Sequence, residues 1–100
     1  MKDINVVTVS GRAVADPVFN KSASGKSFVK FSVAVNGISE NDVTFIDVVY
    51  FDGIAPIIAE KVTKGTKLFL KTRLSQNKWE DKNGVKHSRI ELIGEDIIFV

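Results

Sequence analysis

The chain has no cysteine, two prolines and one histidine among its 100 residues. Without cysteine it has no disulfide, no catalytic thiol and no sulfur ligand for zinc, and a reducing compartment is permitted. A single histidine, His87, supplies neither a histidine cluster for a metal nor the partners of a nucleophilic triad. These absences lead us to expect no metal, no cofactor and no enzymatic activity.

Long apolar runs and a strong excess of one charge are also missing. No stretch approaches the roughly 20 apolar residues of a membrane span, and the start lacks the apolar region of a signal peptide. The 14 lysines and arginines exceed the 12 aspartates and glutamates by only two, which is too little to indicate nucleic acid by itself. We expect one domain, residues 1–100, that works in the cytoplasm without a membrane.

Apolar alternation with β-branched residues predicts a chain built mainly of strands. Five principal strands are expected at residues 5–13, 28–36, 44–51, 67–79 and 86–93, with an optional extension through 97–100.

One helix is expected between the third and fourth strands, because Ile54, Ile58 and Val62 recur every four residues. Asp52 is suited to cap its start and Gly65 to end it. Three strands, a helix and two strands are the order of the OB-fold. The predicted fold class is therefore all-β with one short helix, in a five-stranded Greek-key barrel.

The two faces of the third predicted strand differ in character. Ile46, Val48 and Tyr50 share one parity and form a core row. The opposite parity contains Asp47, and a buried unpaired carboxylate is costly, so this row is expected to face solvent. Its other members are Phe45, Val49 and Phe51.

The same division recurs on two further strands. In 67–75, Leu68, Leu70, Thr72 and Leu74 are expected inside, and the outer row is basic and contains Lys67, Phe69, Lys71, Arg73 and Ser75. Phe28 and Lys30 lie on the outer parity of the second strand. Near the end of the chain, Asn83-Gly84 indicates a hairpin with Trp79 on one arm and Lys86 and Arg89 on the other. Flat rings and positive charge on one surface are the combination that binds single-stranded nucleic acid.

These segments resemble a known family. Residues 7–12, the pair Asp16-Pro17 and residues 31–36 resemble the opening strands of bacterial and phage single-stranded DNA-binding proteins. Residues 44–51 look like their third strand, 55–65 like their helix followed by Lys-Gly, and 68–74 with 78–84 like their fourth strand and hairpin. The resemblance covers nearly the whole chain.

The resemblance implies an OB-fold that coats single-stranded DNA in replication, recombination and repair, as a homotetramer and without catalysis. It implies base stacking at the matching positions Phe45, Phe51 and Trp79, and Phe28 is a further candidate. Basic residues on outward parity or on the hairpin are expected to contact the DNA backbone: Arg12, Lys30, Lys71, Arg73, Lys78, Lys86 and Arg89. Phe69 is assigned to a subunit interface rather than to stacking.

Three departures from the family pattern stand out. The loop at residues 37–42 is short and has no tryptophan. Asp47 lies between two expected stacking rings, where an acid repels phosphate unless it points at a base edge or pairs with a neighbouring lysine. Many family members end in a flexible tail with an acidic tip that recruits replication proteins, whereas the sequence here ends at residues 97–100. We expect a domain without that tail, either because the tail was removed or because this member works without it.

Two other functions remain open from the sequence. One is a tail-less OB-fold subunit that bridges partners in a replication or primosome complex, similar to primosomal replication protein B. The other is a single-strand RNA binder, because bases of either polymer stack. Ser24-Gly25-Lys26-Ser27 resembles the end of a phosphate-binding loop, but Asn20 occupies its first glycine position and a strand follows, so nucleotide hydrolysis is not expected.

Overall fold

The computed structural model describes residues 2–100 and contains six strands and one helix in that range. The elements are β1 (Val7–Ala13), β2 (Val18–Lys21), β3 (Ser27–Asn36), β4 (Val43–Phe51), α1 (Ile54–Lys61), β5 (Lys67–Glu80) and β6 (Lys86–Phe99). The five predicted strands correspond to β1, β3, β4, β5 and β6. The last predicted strand and its extension form one continuous strand.

The prediction of five strands missed β2. This strand has four residues, all exposed, and it pairs antiparallel with the first part of β3, from Val18 opposite Lys30 to Lys21 opposite Ser27. Because β2 has no buried side, it lacks the alternation of apolar residues by which the other strands were recognised.

Strand pairing closes the sheet into a barrel. The order is β1-β5-β6-β4-β3-β2, and β1 also pairs with β3 through Arg12 opposite Ala34 and Ala13 opposite Val33. Five strands therefore form a ring, with β2 continuing along the edge of β3 beyond β1. The pairing of β4 with β6 is parallel, and the other pairings are antiparallel. This is the OB-fold arrangement, with α1 between the third and fourth ring strands, as predicted.

The inward rows of the strands fill the barrel. Phe31 and Tyr50 stack in the core with ring centroids 6.2 Å apart and planes 4° from parallel. Ala55 and Ile58 place one side of α1 against this core, and both are fully buried. The predicted core row of β4 is confirmed, because Val48 and Tyr50 are buried and Ile46 packs against the cluster. The other buried apolar members are Ala13, Val29, Val33, Val62, Leu68, Leu70 and Leu92.

Tyr50 sets a close approach between β4 and β6. A side chain at Gly94 would overlap the Tyr50 ring, so this position requires glycine. The Tyr50 hydroxyl donates to the backbone carbonyl of Asp96 at 2.7 Å. Burial, together with the nearby Asp96 carboxylate, raises the pKa of the Tyr50 phenol well above its ordinary value. The β5–β6 register shifts at the same place, between Lys71 and Thr72.

Both predicted helix ends were wrong in detail. Residue 53, not Asp52, is the N-cap, and no side chain caps the helix. Asp52 has a φ of 65° and accepts the Ala55 N–H at its backbone carbonyl, 3.0 Å away. The helix ends before Val62, whose backbone is extended. Gly65, with a φ of 90°, lies in the following turn, closed by the Thr66 N–H on the Thr63 carbonyl at 3.0 Å.

Two predicted orientations were also wrong. Leu74 was placed in the core row of β5 but is 47% exposed, because β5 runs past the end of the barrel into the hairpin. Val49 was placed on the solvent row of β4 but is only 5% exposed. Side chains from neighbouring strands surround a small cleft above Val49, formed with Phe28, Lys30, Phe51 and Glu91.

Candidate nucleic-acid interface

The outer sides of β3 and β4 carry a row of exposed aromatic rings. Register pairs Phe28 with Phe51 and Ala34 with Phe45. Phe45 is 64% exposed and Phe51 is 46% exposed, which confirms that both face outward. The rings of Phe28 and Phe51 lie 6.4 Å apart with planes inclined by 47°. Because a strand rises about 3.4 Å per residue, Phe45 and Phe51 are separated by roughly 20 Å along β4.

The hairpin of β5 and β6 presents the only tryptophan. Trp79 pairs with His87 across the hairpin, and their rings stack 5.4 Å apart at 19°. The guanidinium carbon of Arg89 lies 5.8 Å from the centre of the Trp79 ring, within the range of a cation–π interaction. Trp79 remains 43% exposed, so it keeps surface for a further ring.

Asp81 organises the tip of this hairpin. Its carboxylate accepts the backbone N–H groups of Asn83 and Val85, each at 2.9 Å, and contacts His87 Nε2 at 2.9 Å. The His87 hydrogen bond first, and then those from Val85 and Asn83, lower the pKa of the Asp81 carboxyl. The predicted hairpin is confirmed, with Gly84 at a φ of 76° and the Asp81 N–H bonded to the Val85 carbonyl at 3.0 Å.

Two ion pairs join the hairpin strands to the aromatic row. Arg89 Nη1 on β6 lies 3.4 Å from Asp47 Oδ2 on β4, and Ser32 Oγ donates to the other oxygen of Asp47. Lys30 Nζ on β3 lies 3.5 Å from Glu91 Oε2 on β6. Asp47 is therefore paired, and its partner is an arginine rather than the neighbouring lysine that the sequence offered.

These contacts define one continuous surface, called here the aromatic face. Trp79 meets Arg89, Arg89 meets Asp47, and Asp47 lies on β4 between two exposed rings. The aromatic face consists of Phe28, Lys30, Phe45, Asp47, Phe51, Trp79, Arg89 and Glu91. It unites six of the eleven residues predicted to bind DNA.

Two further predicted cations border the aromatic face. Arg12 on β1 pairs with Ala34, which in turn pairs with Phe45, and its guanidinium donates to the Gly65 carbonyl at 3.0 Å. Arg73 on β5 pairs with Ile93, whose other neighbour in the sheet is Val49 of β4. Both arginine side chains are exposed.

The remaining three predicted cations lie apart from the aromatic face. Lys71 stands beyond the register shift, with Thr8 and Asp96 as its neighbours in the sheet. Lys78 and Lys86 are one residue out of phase with Trp79 and His87, so they project from the reverse side of the hairpin. They help to line an open groove of about 460 Å³, which Trp79 and His87 border from the edge of the aromatic face.

Sequence reasoning missed two residues that take part in these contacts. His87 lies between Lys86 and Arg89 on the predicted hairpin arm, but a two-residue Asn83-Gly84 turn would pair Trp79 with Ser88. The loop instead has three residues, 82–84, and this shift by one residue pairs Trp79 with His87 and Ser75 with Glu91. The contact of Glu91 with Lys30 depends on the parallel pairing of β4 with β6, which local sequence does not indicate.

The described residues contain no candidate for a metal centre or a membrane-spanning helix. Among residues 2–100, no group of three or more His, Asp or Glu side chains is placed to hold a metal ion. Within that range, no helix is both long and apolar enough to cross a membrane.

Comparison with known proteins gives one consistent family. The model of the single-strand binding protein family matches residues 4–100. The chain is 34% identical to a single-stranded DNA-binding protein of Aquifex aeolicus, with 94% of this chain and 68% of that protein aligned. It is 32% identical to one from Fusobacterium nucleatum, over 96% and 66% of the two chains. It is 26% identical to a single-stranded DNA-binding protein of Treponema pallidum, with 97% of this chain and 58% of that protein aligned. The chain thus spans about six tenths to two thirds of the length of these relatives.

Proposed function

The chain belongs to the single-strand binding protein family, and we propose that it binds and protects single-stranded DNA in replication, recombination and repair. The observation that carries this proposal is the aromatic face, where exposed Phe45, Phe51 and Trp79 lie on one surface with cations among them. The relatives aligned with this chain are named as single-stranded DNA-binding proteins. Members of this family bind DNA and are not enzymes, and this chain is accordingly not an enzyme.

Binding on this surface requires no reading of sequence. Each base that stacks on a ring contributes roughly 1–3 kcal/mol, and every base offers a flat face to the ring. Cations around the rings neutralise phosphates and release counterions, with a slope of about −0.7 per phosphate in log affinity against log salt. Phe45, Phe51 and Trp79 are the proposed stacking residues, with Phe28 beside Phe51 as a fourth.

The proposed backbone contacts divide by position. Arg12 and Arg73 border the aromatic face and are suited to phosphates at its rim. Lys78 and Lys86 would contact DNA only if the DNA strand passes around the hairpin to the reverse side of the hairpin. Lys71 would meet DNA only on a path across β5 beyond the register shift. Lys30 and Arg89 lie within the aromatic face itself.

We also propose that the chain forms a homo-oligomer, and the family resemblance favours a tetramer. Phe69 and Ile98 are directly paired on the outer side of β5 and β6, and both are exposed. An apolar pair of this kind is suited to burial against a second copy. Sedimentation of wild type and of Phe69→Asp tests this proposal. We expect a smaller particle for the variant, whereas an equal mass for both would contradict this interface.

Binding to other macromolecules forms the remaining part of the proposal. As a DNA-coating protein, the chain would work in the bacterial cytoplasm near the nucleoid, or in the host cytoplasm if a phage encodes it. Contacts with other replication proteins would accompany that role. The alternative is a bridging subunit of a primosome. In that case, assembly with partner proteins would survive the substitution of Phe45, Phe51 and Trp79 together.

The deciding experiment is a titration followed by Trp79 fluorescence. A long oligo(dT) is added at two salt concentrations, with duplex DNA as the control and a matched RNA oligonucleotide as competitor. We expect quenching by the single strand and little by the duplex, because only unpaired bases have faces free to stack on Trp79. If neither quenches and a labelled oligonucleotide also fails to bind, the bridging function replaces DNA coating. Stronger competition by RNA would make RNA the ligand.

A further inference from the structure

The aromatic face contains two carboxylates that already occupy two of its cations. Asp47 pairs with Arg89 at 3.4 Å, and Glu91 pairs with Lys30 at 3.5 Å. In both pairs the cation side chain is more exposed than the acid, so the acids lie deeper in the surface. Two cations expected to attract phosphate therefore have intramolecular anionic partners.

The position of the acids relative to the rings is specific. Asp47 is two residues from Phe45 and four from Phe51 on the same outer side of β4. Glu91 is two residues from Arg89 on the same side of β6. Ser32 donates a further hydrogen bond to Asp47, which holds this carboxylate in place between the rings. A DNA strand stacked on Phe45, Phe51 and Trp79 thus passes directly over both ion pairs.

We propose that Asp47 and Glu91 are positioning residues of the interface: they hold Arg89 and Lys30 within the aromatic face and keep phosphates off it. DNA bases then face the rings, and the backbone runs along the rim, where Arg12 and Arg73 are exposed. This inference rests on the proposed function, because it concerns how the same surface receives single-stranded DNA.

As a consequence, the affinity for single-stranded DNA should depend less on salt concentration than the number of cations suggests. The Arg89–Asp47 pair carries no net charge, so a phosphate placed beside it is not neutralised and keeps its condensed counterion. Arg73 differs, since within residues 2–100 no acidic side chain forms an ion pair with it. Ion pairs this exposed are worth little free energy, so they lower the affinity for DNA without blocking binding.

The test compares Asp47→Asn and Glu91→Gln with wild type, using a labelled oligo(dT) between about 50 and about 200 mM salt. Each variant frees one cation, so its affinity should rise at low salt and its salt slope should steepen by about 0.7. Over this fourfold salt range, that steepening corresponds to an extra fall of about 2.6-fold in affinity. Glu60→Gln, an exposed acid on α1, is the matched control because it changes the net charge equally away from the rings.

A second arm substitutes the cations. The double variant Asp47→Asn with Arg89→Gln should have a shallower slope than Asp47→Asn alone, because it removes the cation that the single variant frees. Arg73→Gln alone should make the slope shallower by about 0.7. Thermal unfolding followed by circular dichroism checks that each variant is folded.

The outcomes separate this inference from the proposed function. If wild type binds and the two acid variants match Glu60→Gln in slope and affinity, the inference is overturned while DNA binding stands. A double variant whose slope is as steep as that of Asp47→Asn also overturns it, because the freed Arg89 would then not be the cause of the steeper slope. If wild type binds no single-stranded DNA, the proposed function itself fails.

Discussion

Trp79 and His87 face each other across the β5–β6 hairpin with their rings 5.4 Å apart and nearly parallel. His87 also contacts the Asp81 carboxylate, and that carboxylate closes the turn through backbone N–H groups of residues 83 and 85. The orientation of the tryptophan is thus linked through one histidine to the order of the hairpin tip. This arrangement holds a stacking surface at the end of an arm that extends past the barrel.

Trp79→Ala should weaken binding of single-stranded DNA more than any single lysine substitution. Loss of one stacked base costs roughly 1–3 kcal/mol, which is about 5- to 150-fold in affinity. Fluorescence anisotropy of a labelled oligonucleotide measures the loss, since the variant has no tryptophan of its own. Lys86→Ala is the matched control, because Lys86 projects from the reverse side of the same hairpin. Equal losses of affinity in both variants would count against stacking as the main contribution to the free energy of binding.

The hairpin tip should lose order in acid. In the folded protein the pKa of Asp81 lies below its ordinary value of 3.8. The ionised carboxylate therefore stabilises the folded hairpin fully at pH values above 3.8. The contribution is lost as the pH falls through the lower, folded-state value. Trp79 fluorescence between about pH 5 and about pH 2 should report this change. Asp81→Asn is the control, because it lacks the titrating carboxylate and should show no fluorescence transition in that pH range. If both proteins show the same acid transition, other carboxylates cause it.

Gly94→Ala should destabilise the barrel, whereas Gly53→Ala should not. A methyl group at Gly94 overlaps the Tyr50 ring, and overpacking of this kind costs typically 1–3 kcal/mol. Nothing lies within 4 Å of a methyl group at Gly53, and its φ of −61° suits alanine. Reduced entropy of the unfolded chain should then stabilise Gly53→Ala by about 0.4–1 kcal/mol. Urea unfolding gives both values, and equal stability of the two variants would refute the account.

Leu70→Ala and Leu74→Ala should differ although both leucines share one parity of β5. Leu70 is fully buried, and its truncation should cost about 2–5 kcal/mol. Leu74 lies beyond the barrel and is half exposed, so its truncation should cost less than about 1 kcal/mol. The midpoints of denaturant unfolding compare the pair directly. A similar large loss from Leu74→Ala would mean that this side of the hairpin is covered, for example by a second copy.

The sequence predicted those features that depend on local alternation. The inward parity of Val48 and Tyr50 and the exposure of Phe45 and Phe51 follow from residue types two apart on a strand. The recurrence of apolar residues every four positions from Ile54 to Val62 placed the helix after the third ring strand, and the Asn83-Gly84 turn placed Trp79 on the hairpin. The short β2 strand escaped prediction because it buries no face, and the helix ends were misassigned because backbone geometry, not side-chain caps, defines them there.

The sequence by itself determined the fold class, the rings available for stacking and the parity on which they lie, because alternation along a strand is a local property. The tertiary structure decided which charges meet. The pairs Arg89–Asp47 and Lys30–Glu91 join residues 42 and 61 positions apart, by the differences of their numbers. Barrel closure and the parallel pairing of β4 with β6 bring them together, and no pattern within one segment encodes contacts between strands so distant in the chain.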